Sequence, residues 1–445
     1  MINDNIVAIS SGLSASGVAV IRISGNDPLA IAEKMFTPLS KINVRDFEPY
    51  KLYVGEFDAD TFKDFGMCVY FKAPKSFTGE DVVEYHTHGG VAITKGILQK
   101  ALRLGARLAK NGEFTKRAFI NGKLSLASAE GLIDMINSES ESGVKAGYYL
   151  YREKLTNEII ALQNDLTDIL AEIDADMDFP EEDLEIEAKE SASKTLKKVI
   201  DKTESLLNSF KVGRKILNGV KVAICGKPNT GKSSLLNGLL NYDKTIVSGV
   251  AGTTRDIVEG SIDIGGVKFN LYDTAGIRES QDEIETLGVS LSKRVLNECD
   301  LVLFVKDITC STSEDTEIYN QIKDKNHIVV LNKIDKLKNQ TKENGIMVSA
   351  KEKLNLNELR ELMFEKTVGA GVNLDGDFLC EERHYEALLR AKEKLCLALN
   401  ALEEYSLDLV SIDIKEGWDA LGEVSGKTAT EEIIDNIFAK FCVGK

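Results

Sequence analysis

The stretch Gly226-Lys227-Pro228-Asn229-Thr230-Gly231-Lys232-Ser233-Ser234 constrains this chain more than any other. It follows the apolar run Val220 to Cys225 and opens the helical pattern Ser234-Leu235-Leu236-Asn237. A Gly-x4-Gly-Lys-Ser spacing between a strand and a helix is the context of a phosphate-binding loop. The glycines let consecutive amides converge on phosphate, Lys232 can neutralise the outer phosphate oxygens, and the Ser233 hydroxyl can ligate magnesium. Further apolar runs at Val267 to Tyr272, Leu301 to Val305, Ile328 to Leu331 and Ile346 to Val348 alternate with helical segments. That alternation predicts a doubly wound α/β domain over residues 217–376.

Three of these runs end in polar groups. Asp273-Thr274-Ala275-Gly276 places a carboxylate within reach of a magnesium shell and a glycine amide near a γ-phosphate. In Asn332-Lys333-Ile334-Asp335, the Asp335 carboxylate can accept from guanine N1-H and its exocyclic amine, where adenine would leave it unpaired. Ser349-Ala350-Lys351 is placed to offer main-chain contacts to the base. The ordered set predicts a domain that binds guanine nucleotide, with GTP as substrate and Mg2+ as cofactor.

The flanks read differently. Residues 1–120 carry short β-like runs (Gly17 to Ile23, Met67 to Phe71, Val82 to His86) and a helical pattern from Ile93 to Leu108, which predicts a small α+β domain. Residues 121–216 have little Gly or Pro, and Leu155, Ile159, Leu162, Leu166, Ile169 and Ile173 recur at helical spacing. Helical spacing returns over 377–445, so the α/β domain is expected to be inserted into one helical domain. Seven scattered cysteines without a Cys-x-x-Cys pair point to reduced thiols. The opening residues lack a basic region and apolar block, and no apolar run is long enough to span a bilayer, so neither secretion nor membrane insertion is expected.

The formal charge of -16 argues against a chain coated in nucleic acid. Its distribution is uneven: residues 1–120 hold 15 Lys+Arg against 13 Asp+Glu. From Lys95 to Arg117, seven basic residues (Lys95, Lys100, Arg103, Arg107, Lys110, Lys116, Arg117) face only Glu113. That run reads as a solvated face in preference to a phosphate-backbone contact.

Several further stretches resemble one family: Arg22-Ile23-Ser24-Gly25, Ser76-Phe77-Thr78-Gly79-Glu80-Asp81-Val82-Val83-Glu84, His88-Gly89-Gly90, Gly112-Glu113-Phe114-Thr115-Lys116-Arg117-Ala118-Phe119, Asn121-Gly122-Lys123-Leu124, Asp178-Phe179-Pro180-Glu181-Glu182-Asp183, Ala251-Gly252-Thr253-Thr254-Arg255-Asp256 and Phe441-Cys442-Val443-Gly444-Lys445. Together they resemble the MnmE/TrmE tRNA-modification GTPases from end to end. The resemblance implies a cytoplasmic homodimer joined through N-terminal domains. It implies a partner as well, an FAD-containing protein of the MnmG/GidA type, in a heterotetramer or larger assembly. Together they would place a carboxymethylaminomethyl or aminomethyl group on carbon 5 of the wobble uridine of certain tRNAs. The carbon donor would be a 5-formyl or 5,10-methylene tetrahydrofolate, bound by Arg22, Glu84, Lys123 and Lys445.

The same resemblance shapes the expected hydrolysis. Ile277 follows Gly276 where Ras-type enzymes carry a water-orienting Gln. By resemblance Glu285 would orient water, and a potassium ion would replace an arginine finger. Its ligands would be Asn229 of the phosphate loop, joined by Ser248, Val250 and Thr253 of the loop Ser248-Gly249-Val250-Ala251-Gly252-Thr253-Thr254 that also closes on GTP. Thr254 would join Ser233 on magnesium, Arg255 is expected in an interdomain salt bridge, and Cys442 would act in tRNA modification. One departure is the stretch Ser11 to Gly17, which lacks the Pro- and Arg-containing turn common in the family.

Other patterns are weaker. Asp174, Asp176, Asp178 and Glu185 mimic a calcium loop, but Phe179 stands where that loop needs Gly, so an acidic interhelix loop is expected. The last four residues are a poor prenylation box. His86 and His88 share a strand face without a third ligand, which favours structural roles. A ribosome-assembly GTPase would need an RNA-binding Gly-x-x-Gly module, absent after Asp377, and a non-hydrolysing scaffold is favoured only by Ile277.

Overall fold

The structure, a computed structural model, describes residues 4–12, 14–178, 185–241, 260–273, 295–310, 312–337, 343–374, 378–426 and 429–445, with side chains omitted from 176–178 and 185–188. It divides into two compact units. One comprises Met1–Ile133, Leu150–Val199 and Arg390–Lys445, the other Asp134–Tyr149 and Ile200–Leu389.

In the first unit, β1 (Ile6–Ile9), β2 (Ser16–Gly25), β3 (Phe36–Pro38), β4 (Leu52–Asp58), β5 (Lys63–Phe71), β6 (Asp81–Gly89) and β7 (Arg107–Leu108) form a sheet in the order β3-β4-β5-β6-β2-β1-β7. Alternation along the strands decides what each face carries. Val83 and Tyr85 of β6 join Ile21, Ile23, Phe57 and Cys68 in the main core, closed by Ile97 and Ala101 of α2 (Val91–Arg103), after a short α1 (Pro28–Ala32). The intervening Glu84, His86 and His88 lie on the opposite face, where Ile6 and Ala8 pack against Phe114 of α3 (Glu113–Ile120).

The helix expected to run to Leu108 stops at Arg103. Gly105 adopts φ +104, and Arg107–Leu108 leave the helix to pair in parallel with β1. Strands β1, β3 and β4 were not apparent in the sequence. They are short or carry polar and glycine residues, so their apolar period is weak.

The helical part of this unit includes α4 (Leu126–Asn137), α6 (Lys154–Asp178), α12 (Leu407–Ser425) and α13 (Glu431–Ala439). Gln163 Nε2 donates to the Trp418 carbonyl at 3.0 Å and Trp418 Nε1 donates back to the Gln163 carbonyl at 3.1 Å, pinning α6 to α12. Leu126, Ala129, Ile437, Phe438 and Phe441 form a separate cluster. The acidic stretch expected to be an interhelix loop is helical through Asp178, because the apolar stripe ending in Ile169 and Ile173 continues α6 into it. Residues 179–184 of that stretch lie outside the described residues.

In the second unit, β8 (Val220–Cys225), β9 (Gly260–Ile264), β10 (Val267–Asp273), β11 (Leu301–Asp307), β12 (His327–Asn332) and β13 (Ile346–Met347) form, among the described residues, a sheet in the order β13-β12-β11-β8-β10-β9. Only β9 runs antiparallel to its neighbour. The chain starts in the centre at β8, moves to one side and then crosses to β11 on the other, so the sheet is doubly wound. Its inner strands read as continuous apolar runs because both faces are covered. Leu303 and Val305 of β11 face Leu235 and Leu239 of α8 (Lys232–Leu240) and Leu359 of α10 (Leu356–Thr367). Val302 and Phe304 face Ile322 of α9 (Ser313–Ile322). Ala146 of α5 (Glu141–Tyr151), Ile216 of α7 (Glu185–Asn218) and Cys380, just before α11 (Glu382–Ala401), belong to the same core, so this unit is larger than residues 217–376. The chain is thus a multidomain protein with one largely antiparallel and one largely parallel sheet, as its α/β and α+β patterns predict. Among the described residues no helix is long and apolar enough to cross a membrane.

Candidate functional site

Because β8, β10, β11, β12 and β13 run parallel, their carboxyl ends share one edge, and there Cys225, Asp273, Asp307, Asn332 and Met347 hand over to loops. The ends of β8 and β11 are where the winding direction reverses, the usual place for a ligand crevice. The loop after β8 needs its glycines. Gly226 has φ +148, and a Cβ there would run into the Val305 carbonyl oxygen; Gly231 has φ +93, and a Cβ would strike the Asn332 amide. Asn229 takes φ +63, a left-handed conformation that Asn tolerates.

Side chains lace the loop to neighbouring strand ends. Thr230 Oγ1 and Lys232 Nζ donate to the Lys227 carbonyl at 3.0 and 2.8 Å. Ser233 Oγ donates to Asp273 Oδ2 at 3.2 Å, so a hydroxyl and a buried carboxylate meet as two hard oxygen donors beside the loop. Ser234 and Asn229 are exposed. Asn332 Nδ2 donates to the Thr230 carbonyl at 2.9 Å, while its Oδ1 accepts from the amides of Lys333 (2.8 Å) and Ala350 (3.0 Å). One buried amide thereby joins three loops.

Lys333 Nζ donates to the Asn229 carbonyl at 2.7 Å and to Asp307 Oδ2 at 2.6 Å. Burial works against the charge on Asp307, but Lys333 and Thr309 outweigh it and hold its carboxyl below the usual range. Ser349 Oγ donates to Asp335 Oδ1 at 2.6 Å, and that bond keeps the exposed Asp335 carboxyl ionised below its ordinary value. Lys351 is exposed on the same loop. The expected residues Asn229, Thr230, Gly231, Lys232, Ser233, Ser234, Asp273, Asn332, Lys333, Asp335, Ser349, Ala350 and Lys351 therefore all lie on this edge or the loops leaving it. Ser248, Gly249, Val250, Ala251, Gly252, Thr253, Thr254, Thr274, Ala275, Gly276 and Glu285 lie outside the described residues.

In the other unit, the register sets Arg22 of β2 opposite Glu84 of β6. Arg22 Nε donates to Glu84 Oε1 at 2.7 Å, and its guanidinium lies 5.3 Å from the Phe77 ring centroid and 5.7 Å from that of Phe114. His86 Nε2 lies 3.5 Å from Glu84 Oε2. Burial opposes the charge on Glu84, but His86 and Arg22 together draw its pKa below the usual value. The loop before β6 is tied down by Ser24, which shares a 2.7 Å hydrogen bond with Thr78 and donates to Glu80 at 2.7 Å. Buried Arg117 in turn donates to Glu80, Asp4 and Glu113. Lys123 is exposed and reaches the Pro74 carbonyl at 3.1 Å.

The chain's last residues come back to this sheet. Asn111 and Val443 form an antiparallel bridge, and Gly444 has φ +103 with its Cα against the Ile9 carbonyl, where any Cβ would collide. Ile9 follows Ala8, the β1 partner of Arg22, so Lys445 and exposed Cys442 sit on a tail docked beside the Arg22 strand. His88, on the same face as Glu84, is held through Nδ1 by Asp64 Oδ1 at 2.6 Å. Sequence reasoning passed over Phe77 and Phe114 as a platform, although both stand within the stretches quoted above. It also passed over Asp307, which no spacing rule marks.

A phosphate loop on the carboxyl edge of a doubly wound sheet, with polar groups from the neighbouring strand ends around it, defines a P-loop nucleotide-binding protein. Residues 5–123 match the family described as GTP-binding protein TrmE N-terminus, and residues 126–442 match the MnmE helical domain. A tRNA modification GTPase MnmE of Desulforamulus reducens is 40% identical over 461 residues, covering 100% of both chains. The protein of the same description from Thermoanaerobacter pseudethanolicus is 39% identical over 463 residues, again covering 100% of each. A solved structure of Aquifex aeolicus Era is 32% identical over 40% of this chain and 67% of that one, with a TM-score of 0.27. The chain belongs to the MnmE family of tRNA modification GTPases.

Proposed function

We propose that this chain hydrolyses GTP with magnesium to drive modification of the wobble uridine of tRNA at carbon 5. The observation that carries the reading is the lacing of three strand-end loops around the phosphate loop by Asn332, beside an Asp335 carboxylate oriented by Ser349. Asp335 would select guanine, because adenine offers no donor pair to a carboxylate held in that place. Lys232 would balance phosphate charge, and Ser233 and Thr254 would hold magnesium, a fit favoured by the oxygen pair Ser233 and Asp273. Asn229, Ser248, Val250 and Thr253 would bind potassium, and Glu285 would orient water. Potassium bound there would stabilise charge developing on the phosphates.

The N-terminal residues support a folate reading. Arg22 and Glu84 offer a cation and a carboxylate beside two aromatic rings, which suits a flat pterin ring and an anionic tail. Lys123 and Lys445 would add charge for the tail's carboxylates, and Cys442 would act on the modification side. In this reading residues 1–120 form the tetrahydrofolate-binding and dimerisation domain, 121–216 with 377–445 the helical domain, and 217–376 the GTPase domain. The working form is a cytoplasmic homodimer with the FAD-containing MnmG/GidA-type partner and tRNA.

Two measurements test this. GTP turnover should be several-fold faster in potassium than in sodium at equal ionic strength; equal rates would remove the potassium assignment. Wobble-uridine analysis of tRNA after deletion of the gene should show loss of the carbon-5 group, and unchanged tRNA would overturn the proposed role.

A further inference from the structure

Lys227 is the one charged residue of the phosphate loop whose side chain has no part in the proposed function. Its ammonium is fully used by the segment after β11: it donates to Asp315 Oδ2 at 2.9 Å, to the Cys310 carbonyl at 2.9 Å and to Thr312 Oγ1 at 3.2 Å. An ammonium has three donors, so none is left over. The anchor is itself firmly built. Asp315 is nearly buried, with 3% of its side chain exposed, and its Oδ2 also accepts from the Thr312 amide at 3.0 Å in the capping box that starts α9. Meanwhile the carbonyl of Lys227 is the acceptor that both Thr230 and Lys232 use. One residue is thus fixed at its side-chain end by α9 and at its main-chain end presents the oxygen that holds the loop's phosphate-binding lysine.

We propose that Lys227 is a positioning residue for nucleotide binding: its tether to Asp315 sets the peptide that holds Lys232 and Thr230, so the phosphate loop is already shaped when nucleotide arrives. The inference rests on the reading of this edge as a guanine-nucleotide site. Two roles that Lys227 could take make opposite demands. A direct phosphate ligand has to leave Asp315, and its loss hurts triphosphate more than diphosphate. A tether stays on Asp315, and its loss hurts both nucleotides alike by removing preorganisation.

The test uses the full chain with fluorescent GDP and a fluorescent non-hydrolysable GTP analogue, together with steady-state turnover of GTP. Lys227→Met and Asp315→Asn should each weaken both nucleotides by about ten-fold, the scale of a lost charge-assisted hydrogen bond. KM should rise by a similar factor, while kcat at saturation stays within about two-fold. The double variant should be no weaker than the worse single variant, since both remove the same link. Lys227→Arg, which keeps the charge and donors, should recover most of the affinity; with Asp315→Asn it carries the test if Lys227→Met fails to fold by circular dichroism.

The tether is overturned if Asp315→Asn tightens binding, if Lys227→Met weakens the triphosphate selectively, or if neither change moves affinity while the unaltered chain binds normally. An unaltered chain that binds neither nucleotide overturns the nucleotide-site reading itself, and the tether with it.

Discussion

The two candidate sites are assembled in contrasting ways. The nucleotide edge draws on short, contiguous stretches, each leaving the end of a parallel strand, and much of its chemistry is main chain: the Lys227 carbonyl, the loop amides, the Asn229 carbonyl met by Lys333. The N-terminal site is made of side chains brought across a mixed sheet, Arg22 against Glu84, and of a tail more than three hundred residues further along the chain, Gly444 against Ile9. A site built on one edge can be broken at a single loop without disturbing the rest of the molecule. A site built from distant segments fails when any one of them is displaced.

The largest effect should come from Lys232→Ala. Removing the cation that balances phosphate charge should lower GTP turnover by about a hundred-fold or more, in the range of a lost transition-state contact. Melting of the N-terminal unit, followed by the fluorescence of Trp418, should not move. Turnover within ten-fold of the unaltered chain would mean that the loop is not where the chemistry occurs.

Next is Gly444→Ala. A left-handed φ costs a non-glycine residue about 1–2 kcal/mol, and here the added methyl also meets the Ile9 carbonyl oxygen. The tail should leave its dock, tRNA modification should fall by at least ten-fold, and GTP turnover by the isolated chain should change less than two-fold. If modification survives, Cys442 and Lys445 have no part in the N-terminal site.

This contrast also explains what could be read from sequence. All five parallel strands were found with ends within two residues, since strands covered on both faces are unbroken apolar runs, and the motifs at their ends put Asp273, Asn332 and Asp335 at the carboxyl edge. The role of Lys227 was not legible, because its partner Asp315 lies eighty-eight residues away and belongs to a helix cap. The resemblance put Arg22 and Glu84 at one site but not in contact: nothing local tells that β2 will lie beside β6. Likewise the edge strand β7 depends on its pairing with β1, which the sequence around Arg107 does not announce.

Acid should act on both units in the same direction, with a smaller effect. In the N-terminal unit, burial opposes the charges on Glu84 and Glu113, but His86 and Arg22, and Arg107 and Arg117, draw the two pKa values below the ordinary 4.5. In the other unit, Asp307 and Asp315 are likewise opposed by burial yet held below 3.8 by Lys333 and Lys227. A carboxylate with a depressed folded pKa stabilises fully above its unfolded value, and that stability is lost as pH falls through the folded value. Trp418 is the chain's only tryptophan and lies in the N-terminal unit. Its emission, and the retention of a fluorescent nucleotide by the other unit, should both hold above the ordinary carboxylate range and be lost only as pH falls below it; loss of either signal at a higher pH would break the assignment of the paired carboxylates.

The smallest effect is expected from Lys116→Ala. The basic run from Lys95 to Arg117 reads in sequence as a solvated face in preference to a phosphate-backbone contact, and in the fold Lys100 and Arg103 share Asp60, Arg107 binds Asp4 and Glu113, Lys116 meets Asp435, and Arg117 is buried among Asp4, Glu80 and Glu113. Most of its charge is compensated within the N-terminal unit and is not offered to a ligand. The pair Lys116 and Asp435 is largely exposed, at 36% and 66%, and an ion pair of that kind contributes about 0–1 kcal/mol, less as salt rises. Lys116→Ala should therefore shift the melting temperature by no more than about two degrees and change tRNA affinity less than about two-fold at physiological salt. A ten-fold loss of tRNA affinity with a reduced salt slope would instead make the run a phosphate-backbone contact, and the N-terminal unit a place where tRNA is gripped.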